Sequence, residues 1–143
     1  MLTTRSADGQ MHSRAMNPVA PDSETQLTLT FIANNVCHKF EEIQNDSHVN
    51  VSFLDPSTTN WASFSGHAKI INDREEIKKH WSSTVSLIQV VPNEIRYWKT
   101  NKGKIGRALE VGIDALTGRT ASPGELRTIT QEDIALTQSL HTK

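Results

Sequence analysis

Alternating hydrophobic and polar positions mark the stretch from Leu27 to Ala33 as a half-buried strand, because apolar side chains recur there at every second residue. The strand runs into Asn34-Asn35, residue types that tolerate turns. It then delivers His38-Lys39 to the start of a short predicted helix over 39–43. Free backbone N–H groups at a helix start, beside a lysine, favour a bound anion such as phosphate. The pattern therefore predicts an anion site where this strand meets the helix.

Five further segments have the period of a strand, and their short connections predict antiparallel pairing. Asp8-Gly9 is typical of a hairpin turn between the first two. Gly66 lies inside the longest segment and predicts a bulge, whereas Val91-Pro92 predicts a kink or an edge position in the last. Six strands with helices at the joins indicate a mainly β fold, a small antiparallel barrel with peripheral helices. The five segments are 1–5, 11–16, 49–53, 61–71 and 86–98.

Helix signals occur at three places after the fifth predicted strand. A capping-box pattern begins at Asp73, an apolar helical face runs over 105–116, and Thr130 is followed by an acidic residue three positions later. Two of these three signals lie after the last predicted strand. We therefore predict two regions, a barrel core over 1–98 and a helical C-terminal tail over 99–143.

Composition narrows the class of protein and its surroundings. The 143 residues are enough for one domain with its own core. A net charge of -1 and an isoelectric point near 6.6 argue against a dedicated nucleic-acid or membrane-surface protein. The chain has no apolar run long enough to span a bilayer, and its single cysteine, Cys37, rules out an internal disulfide. We expect a cytoplasmic protein with no nucleic-acid or membrane partner.

Two cations are candidates for the predicted anion site. Arg14 lies on the second predicted strand, and Lys39 begins the helix. Each is either an ordinary exposed surface cation or a phosphate ligand, and the guanidinium fork of an arginine suits a phosphate. The residues by themselves leave both interpretations open.

Other reactive or aromatic residues give weaker indications. We interpret Cys37 as a small buried hydrophobe, since no histidine–aspartate arrangement accompanies it. The six histidines show no metal-ligand spacing, so the sequence predicts no metal site. Trp61 and Trp98 lie at strand ends, where a flat ring either packs in the core or lines a planar ligand.

Several short motifs stand in an order that is typical of one family. They are Thr3-Thr4-Arg5, Asp8-Gly9, Ser13-Arg14-Ala15-Met16, Asn50-Val51-Ser52-Phe53, Ser63 to Lys69, Asp73-Arg74-Glu75, Trp81 and Ala121 to Thr130. In this order and spacing they resemble the general stress protein branch of the pyridoxamine 5′-phosphate oxidase-related, FMN-binding split-barrel proteins. The segment from Ala121 is similar to fungal members described as blue-light-induced. The resemblance covers nearly the whole chain.

The resemblance implies a six-stranded antiparallel FMN-binding split barrel, forming a homodimer with FMN at the interface. It also implies a stress-related flavoprotein with oxidoreductase activity on an unspecified substrate, the redox chemistry belonging to the flavin. Arg14 and Lys39 match the family's phosphate contacts, and Trp61 matches a position that reaches the flavin from the second subunit. The residues that the resemblance assigns to FMN are Ser13, Arg14, Met16, Asn34, Asn35, His38, Lys39, Trp61 and Trp98.

Departures from the family pattern bear on function. Cys37-His38-Lys39 stands where the oxidase has Ser-Arg-Lys, so a titratable histidine replaces a phosphate-binding arginine. The loop over 82–86 is short, and no helix precedes the first strand, which makes an N-terminal truncation one interpretation. The segment 100–107 lacks a counterpart of the pyridoxal phosphate-binding segment, so we do not expect oxidation of pyridoxamine phosphate. The alternative is a truncated barrel that serves as an interaction module without a cofactor, and a bound heme is a weaker third option.

Overall fold

The computed structural model describes residues 1–34, 37–73, 75, 85–100 and 124–140. Within them the chain forms seven strands and two helices. The strands are β1 (Leu2–Arg5), β2 (Met11–Arg14), β3 (Leu29–Asn34), β4 (His48–Leu54), β5 (Trp61–Ile71), β6 (Val85–Thr100) and β7 (Gly124–Ile129). The helices are α1 (Lys39–Asn45) and α2 (Gln131–Leu140). All strand pairs are antiparallel. The predicted class, mainly β with peripheral helices, is confirmed.

One sheet contains all seven strands, in the order β2-β1-β4-β5-β6-β3, with β7 also pairing β6. The 16-residue β6 pairs β5 along one edge and two different strands along the other. Its first half pairs β3, ending at the Leu29–Val90 pair, and its second half pairs β7, beginning at Ile95–Ile129. This curled sheet brings the β1–β2 hairpin next to β4 rather than leaving it as a separate unit.

The predicted bulge at Gly66 is confirmed. The register between β5 and β6 shifts after Ser65, so that Gly66 faces Pro92 and Asn93 is the extra residue. A side chain at Gly66 would place its Cβ 2.2 Å from the Val91 carbonyl oxygen, so the close approach of the strands requires glycine. Pro92 lies between the stretches of β6 that pair β3 and β7, where its missing N–H group removes no bond to either strand.

Strand β7 makes the strand count one higher than predicted. The sheet has seven strands instead of six, because β7 forms within the region predicted as a helical tail over 99–143. Residues 125–128 are all exposed, so no apolar period announces this strand. The boundary at residue 98 stays a prediction, and the predicted helices after Asp73 and over 105–116 lie outside the described residues.

The final helix begins as predicted. The Asp133 N–H group donates to Thr130 Oγ1 over 3.4 Å, and the Thr130 N–H group donates to Asp133 Oδ2 over 3.0 Å. This reciprocal pair satisfies backbone donors at the start of α2. The helix contacts β6 and buries Ile134.

An apolar cluster of buried residues from the sheet and helix α1 forms the core of the described residues. Helix α1 covers this cluster with Phe40 and Ile43. The other buried residue of the helix is Glu42. The helix thus lies where β3 ends and close to β1 and β5. The buried members of the cluster are Leu2, Phe31, Ala33, Phe40, Ile43, Val49, Val51, Ala68, Ile88 and Val90.

Candidate functional site

A cavity of about 920 Å³ opens beside the start of α1, at the predicted anion site. It brings Arg14 of β2 together with His38 and Lys39, although 24 residues separate Arg14 from His38 in the sequence. We call it the cation cavity. Its lining residues are Ser6, Ala7, His12, Arg14, Cys37, His38, Lys39, Glu41, Glu42 and Asn45. Cys37 is exposed, so its interpretation as a buried hydrophobe was wrong.

A buried carboxylate, Glu42, organises the wall of the cation cavity. Arg14 Nη2 donates to Glu42 Oε2 over 2.9 Å, and His12 Nδ1 lies 2.6 Å from Oε1. Arg14 Nη1 donates to the Thr4 hydroxyl over 2.8 Å, and that hydroxyl donates in turn to Glu42. Thr4 is fully buried, and the Glu42 side chain is 9% exposed. The guanidinium is therefore held in place from two sides.

Two opposing effects set the pKa of Glu42. Burial raises it, but the hydrogen bonds from Thr4, His12 and Arg14 together outweigh burial and lower the pKa from 4.5 to about 2. Glu42 is therefore ionised throughout the neutral range and keeps Arg14 charge-paired. Sequence pattern alone does not reveal the role of Glu42, because a glutamate in the first turn of a helix usually indicates an exposed position favoured by the helix dipole.

Two apolar cavities lie at the other end of β5 and share Phe53, Trp61 and Ala62. We call them the aromatic cavities. The larger, of about 520 Å³, has Trp61 and its direct cross-strand partner Trp98 in its wall, and the smaller, of about 480 Å³, includes Met16. Phe53 and Phe64 meet edge to face in the larger cavity, with ring centroids 5.7 Å apart.

Strand β7 fixes the Trp98 ring from the other side. Gly124 is buried against it, and a Cβ at this position would come within 2.6 Å of the indole. The absence of a side chain lets the strand lie directly on the ring. Trp61 remains 37% exposed. Trp98 is therefore covered by β7, whereas Trp61 forms an open rim of the aromatic cavities.

The nine residues assigned by resemblance fall into three groups. Arg14, His38 and Lys39 line the cation cavity, whereas Met16, Trp61 and Trp98 line the aromatic cavities. Ser13 is exposed, its hydroxyl 2.7 Å from that of Thr3, and lines none of these cavities. Asn34 ends β3 and is exposed, and Asn35 lies outside the described residues. Their roles towards a ligand stay predictions.

The segment from Arg14 to Met16 joins the two sites. Arg14 faces the cation cavity, and two residues later Met16 lines an aromatic cavity. An extended chain advances at most about 7 Å over two residues. The cation cavity and the nearer aromatic cavity therefore adjoin along this stretch of backbone.

Two further kinds of site are not found in the described part of the chain. No group of three or more His, Cys, Asp or Glu side chains is arranged to hold a metal ion there. The helices of that part are too short and too polar for any of them to cross a bilayer.

A curled antiparallel sheet with a cation cavity beside its short helix defines a split-barrel protein. The family model described as "Pyridoxamine 5'-phosphate oxidase like" matches residues 1–122. The chain belongs to this family. The matched region contains every residue that the resemblance assigned to FMN and also Glu42.

Individual relatives agree with this family. Protein bli-3 of Neurospora crassa is 29% identical over 163 residues, covering 99% of this chain and 78% of bli-3. A putative general stress protein 26 from Jannaschia has a TM-score of 0.62 at 18% identity, covering 90% of this chain and 88% of that one. These similarities confirm the predicted resemblance to the general stress branch and to fungal members. The split-barrel fold is likewise confirmed.

Two further solved structures share the fold but differ in the ligand that their names state. One is a pyridoxamine 5'-phosphate oxidase-related, FMN binding protein from Nostoc punctiforme, with a TM-score of 0.61 at 12% identity, covering 90% of this chain and 84% of that one. The other is a heme binding protein from Mycobacterium smegmatis, with a TM-score of 0.60 at 11% identity, covering 94% of this chain and 53% of that one. Proteins of this fold thus bind planar cofactors of more than one kind.

Proposed function

We propose that this chain binds FMN as a homodimeric, stress-related split-barrel flavoprotein. The observation that carries the proposal is the meeting of Arg14 and Lys39 in the cation cavity. These side chains come from a strand and a helix that are distant in sequence, and they are the two that the family resemblance assigns to the FMN phosphate. The convergence of two cations from distant segments supports an anion site at this cavity.

The donors in the cation cavity fit a phosphate. Arg14 uses one N–H on Nη1 for Thr4 and one on Nη2 for Glu42, and its side chain is 26% exposed. A guanidinium carries more N–H groups than these two bonds use, so it retains donors for a phosphate oxygen. Lys39 adds a positive charge that Glu42 does not neutralise in the described contacts. Glu42 therefore orients Arg14, while Lys39 supplies net charge.

The aromatic cavities fit the flavin ring. Trp61, Trp98 and Phe53 present flat apolar surfaces, and the backbone between Arg14 and Met16 connects them to the phosphate end. The side chains there would orient the ring and exclude water from one face. FMN, when bound, supplies hydride and electron transfer. The proposed oxidoreductase chemistry thus depends on the flavin, while the chain binds and positions it.

A second copy of the chain would complete the open rim of the aromatic cavities. Trp61 is 37% exposed and Leu54 is 68% exposed at this rim. Apolar side chains grouped beside a ligand cavity are typical of an interface. Light scattering coupled to gel filtration tests this part of the proposal, and we expect twice the mass of one chain.

The cofactor is tested by titrating FMN into purified protein that has been stripped of bound small molecules. We expect saturable quenching of flavin fluorescence, and Arg14→Ala and Lys39→Ala should each weaken affinity by about tenfold or more, as loss of a charge-assisted hydrogen bond implies. Matched controls are Arg96→Ala and Lys69→Ala, which remove exposed cations of β6 and β5 that do not line the cavities described. These controls should bind FMN like the unaltered chain.

Two results would contradict the proposal. Protein that stays colourless and fails to quench FMN would favour the interaction module without a cofactor. Heme is the second candidate, because His12 and His38 line the cation cavity and each offers an imidazole nitrogen that an iron ion can use. A sharp Soret band on adding heme, lost in His38→Ala but present in Lys39→Ala, would favour it over FMN.

A further inference from the structure

Two histidines that line none of the three cavities face each other across the β4–β5 pair. His48 and His67 are direct register partners, with ring centroids 4.3 Å apart and planes tilted by 53°. The Ala68 N–H group donates to the Ser47 carbonyl oxygen over 2.8 Å, which makes that neighbouring pair the hydrogen-bonded one. His48 and His67 therefore occupy a non-hydrogen-bonded position, where facing side chains come closest.

Both imidazoles form their hydrogen bonds through Nδ1. His48 Nδ1 lies 2.7 Å from Asp46 Oδ1, and a carboxylate accepts only, so Nδ1 of the neutral ring carries the proton and Nε2 keeps its lone pair. His67 Nδ1 is 3.0 Å from Ser47 Oγ. Neither Nε2 has a partner among the described residues.

We propose that His48 and His67 bind a late first-row divalent cation such as Zn²⁺ or Cu²⁺ through their Nε2 atoms. Imidazole nitrogens suit these ions, and metal–nitrogen bonds of about 2.1 Å place two coordinated nitrogens within about 4 Å of each other. The ring centroids of His48 and His67 lie 4.3 Å apart, so the two imidazoles are near enough to share one ion. The Asp46–His48 contact is the carboxylate–histidine pair that commonly orients a metal-binding imidazole.

The proposed site has two protein ligands, and water completes the coordination. No third metal-binding side chain among the described residues is arranged to join the two histidines. The site is open, since the His48 side chain is 73% exposed. Arg5 Nη1 lies 4.0 Å from Asp46 Oδ2, so Arg5 faces the oxygen that His48 does not use. Asp46 therefore acts as a positioning residue and not as a third ligand.

Calorimetric titration of ZnCl₂ into chelator-treated full-length protein tests the site. We expect one Zn²⁺ per chain, and His48→Gln and His67→Gln should each lower affinity by at least about tenfold. Asp46→Asn should lower it by up to about tenfold, a change that an unassisted pair of imidazoles would not show. The matched control is Lys69→Gln, which changes an exposed side chain on the same strand as His67 and should leave Zn²⁺ affinity unchanged.

Three results would overturn the proposal. They are the absence of saturable Zn²⁺ uptake, equal affinity in His67→Gln and the unaltered chain, and an equal loss of affinity in the control Lys69→Gln. Thermal unfolding of each variant checks that it folds. An independent readout on the unaltered chain is the electron paramagnetic resonance spectrum with one equivalent of Cu²⁺. Coupling to two nitrogens supports the site, and a spectrum without nitrogen coupling argues against it.

Discussion

The cation cavity and the aromatic cavities adjoin, yet they are built in opposite ways. In the cation cavity, hydrogen bonds of 2.6–2.9 Å connect β1, β2 and α1 around the buried Glu42. In the aromatic cavities, aromatic rings pack between β4, β5, β6 and β7. Gly124 lies directly against the Trp98 ring because it has no side chain. The first site is therefore sensitive to charge, and the second is sensitive to shape.

This difference separates stability from binding within one site. Arg14 is a structural residue as well as a candidate ligand, because Glu42 and Thr4 both depend on it for hydrogen bonds. Lys39 makes a contact with the Phe40 ring at 5.7 Å, which contributes little at a partly exposed site. Mutation of Lys39 therefore probes ligand binding more cleanly than mutation of Arg14.

The largest expected effect comes from removing the centre of the cation cavity. Glu42→Ala leaves Arg14 without its carboxylate and Thr4 and His12 without an acceptor, and removal of one partner of a buried ion pair costs about 3 kcal/mol. Urea unfolding measures the change. The control Glu41→Ala alters an 81% exposed neighbour and should stay within about 0.5 kcal/mol. Equal effects of the two substitutions would show that the network does not stabilise the fold.

An intermediate effect is expected from adding one methyl group at the aromatic end. Gly124→Ala forces a Cβ into the Trp98 indole, and overpacking of this kind costs about 1–3 kcal/mol. Urea unfolding followed by tryptophan fluorescence measures both the stability and the displaced ring. Thr128→Ala, at an exposed position of the same strand, is the matched control. A Gly124→Ala protein with unchanged stability and fluorescence would contradict the packing of β7 on Trp98.

The smallest expected effect is the acid sensitivity that Glu42 gives to the cation cavity. The unfolded chain protonates Glu42 near 4.5 and the folded chain near about 2, so its contribution is present above pH 4.5 and is lost as pH falls towards 2. Hydrogen bonds from Ser57 and Thr58 lower the pKa of the exposed Asp55 to about 2, so Asp55 contributes a loss in the same direction in every variant. Stability measured at about pH 5 and about pH 3 should therefore fall less in Glu42→Gln than in the unaltered chain. An equal fall would exclude Glu42 as its source.

Local pattern was sufficient to predict much of the fold. The Leu27–Ala33 alternation, the Asp8-Gly9 turn and the Gly66 bulge each have a signal within a few residues, and the structure contains all three features. Strand β7 has no such signal, because its polar side chains face solvent on both sides and its pairing partner, 95–100, lies far away in sequence. Its formation depends on tertiary pairing more than on periodicity.

The candidate site was only partly predictable for the same reason. Arg14 and Lys39 were accessible through the family resemblance, and the structure places them in one cavity. The role of Glu42 could not be predicted, because its hydrogen bonds come from Thr4, His12 and Arg14, which lie 28 to 38 residues away. The pairing of His48 with His67 was equally hidden, because antiparallel register and not sequence spacing brings these rings together.

The break in the pairing of β6 also bears on self-association. Among the described residues, 91–94 have no strand partner on the edge that β3 and β7 share. Such a gap would offer a template for a strand of another molecule, the first step of edge-to-edge aggregation. Pro92 withholds a donor there, and the extra residue Asn93 distorts the backbone spacing that an incoming strand would need. Pro92 and Asn93 thereby protect β6 from pairing with another molecule along 91–94.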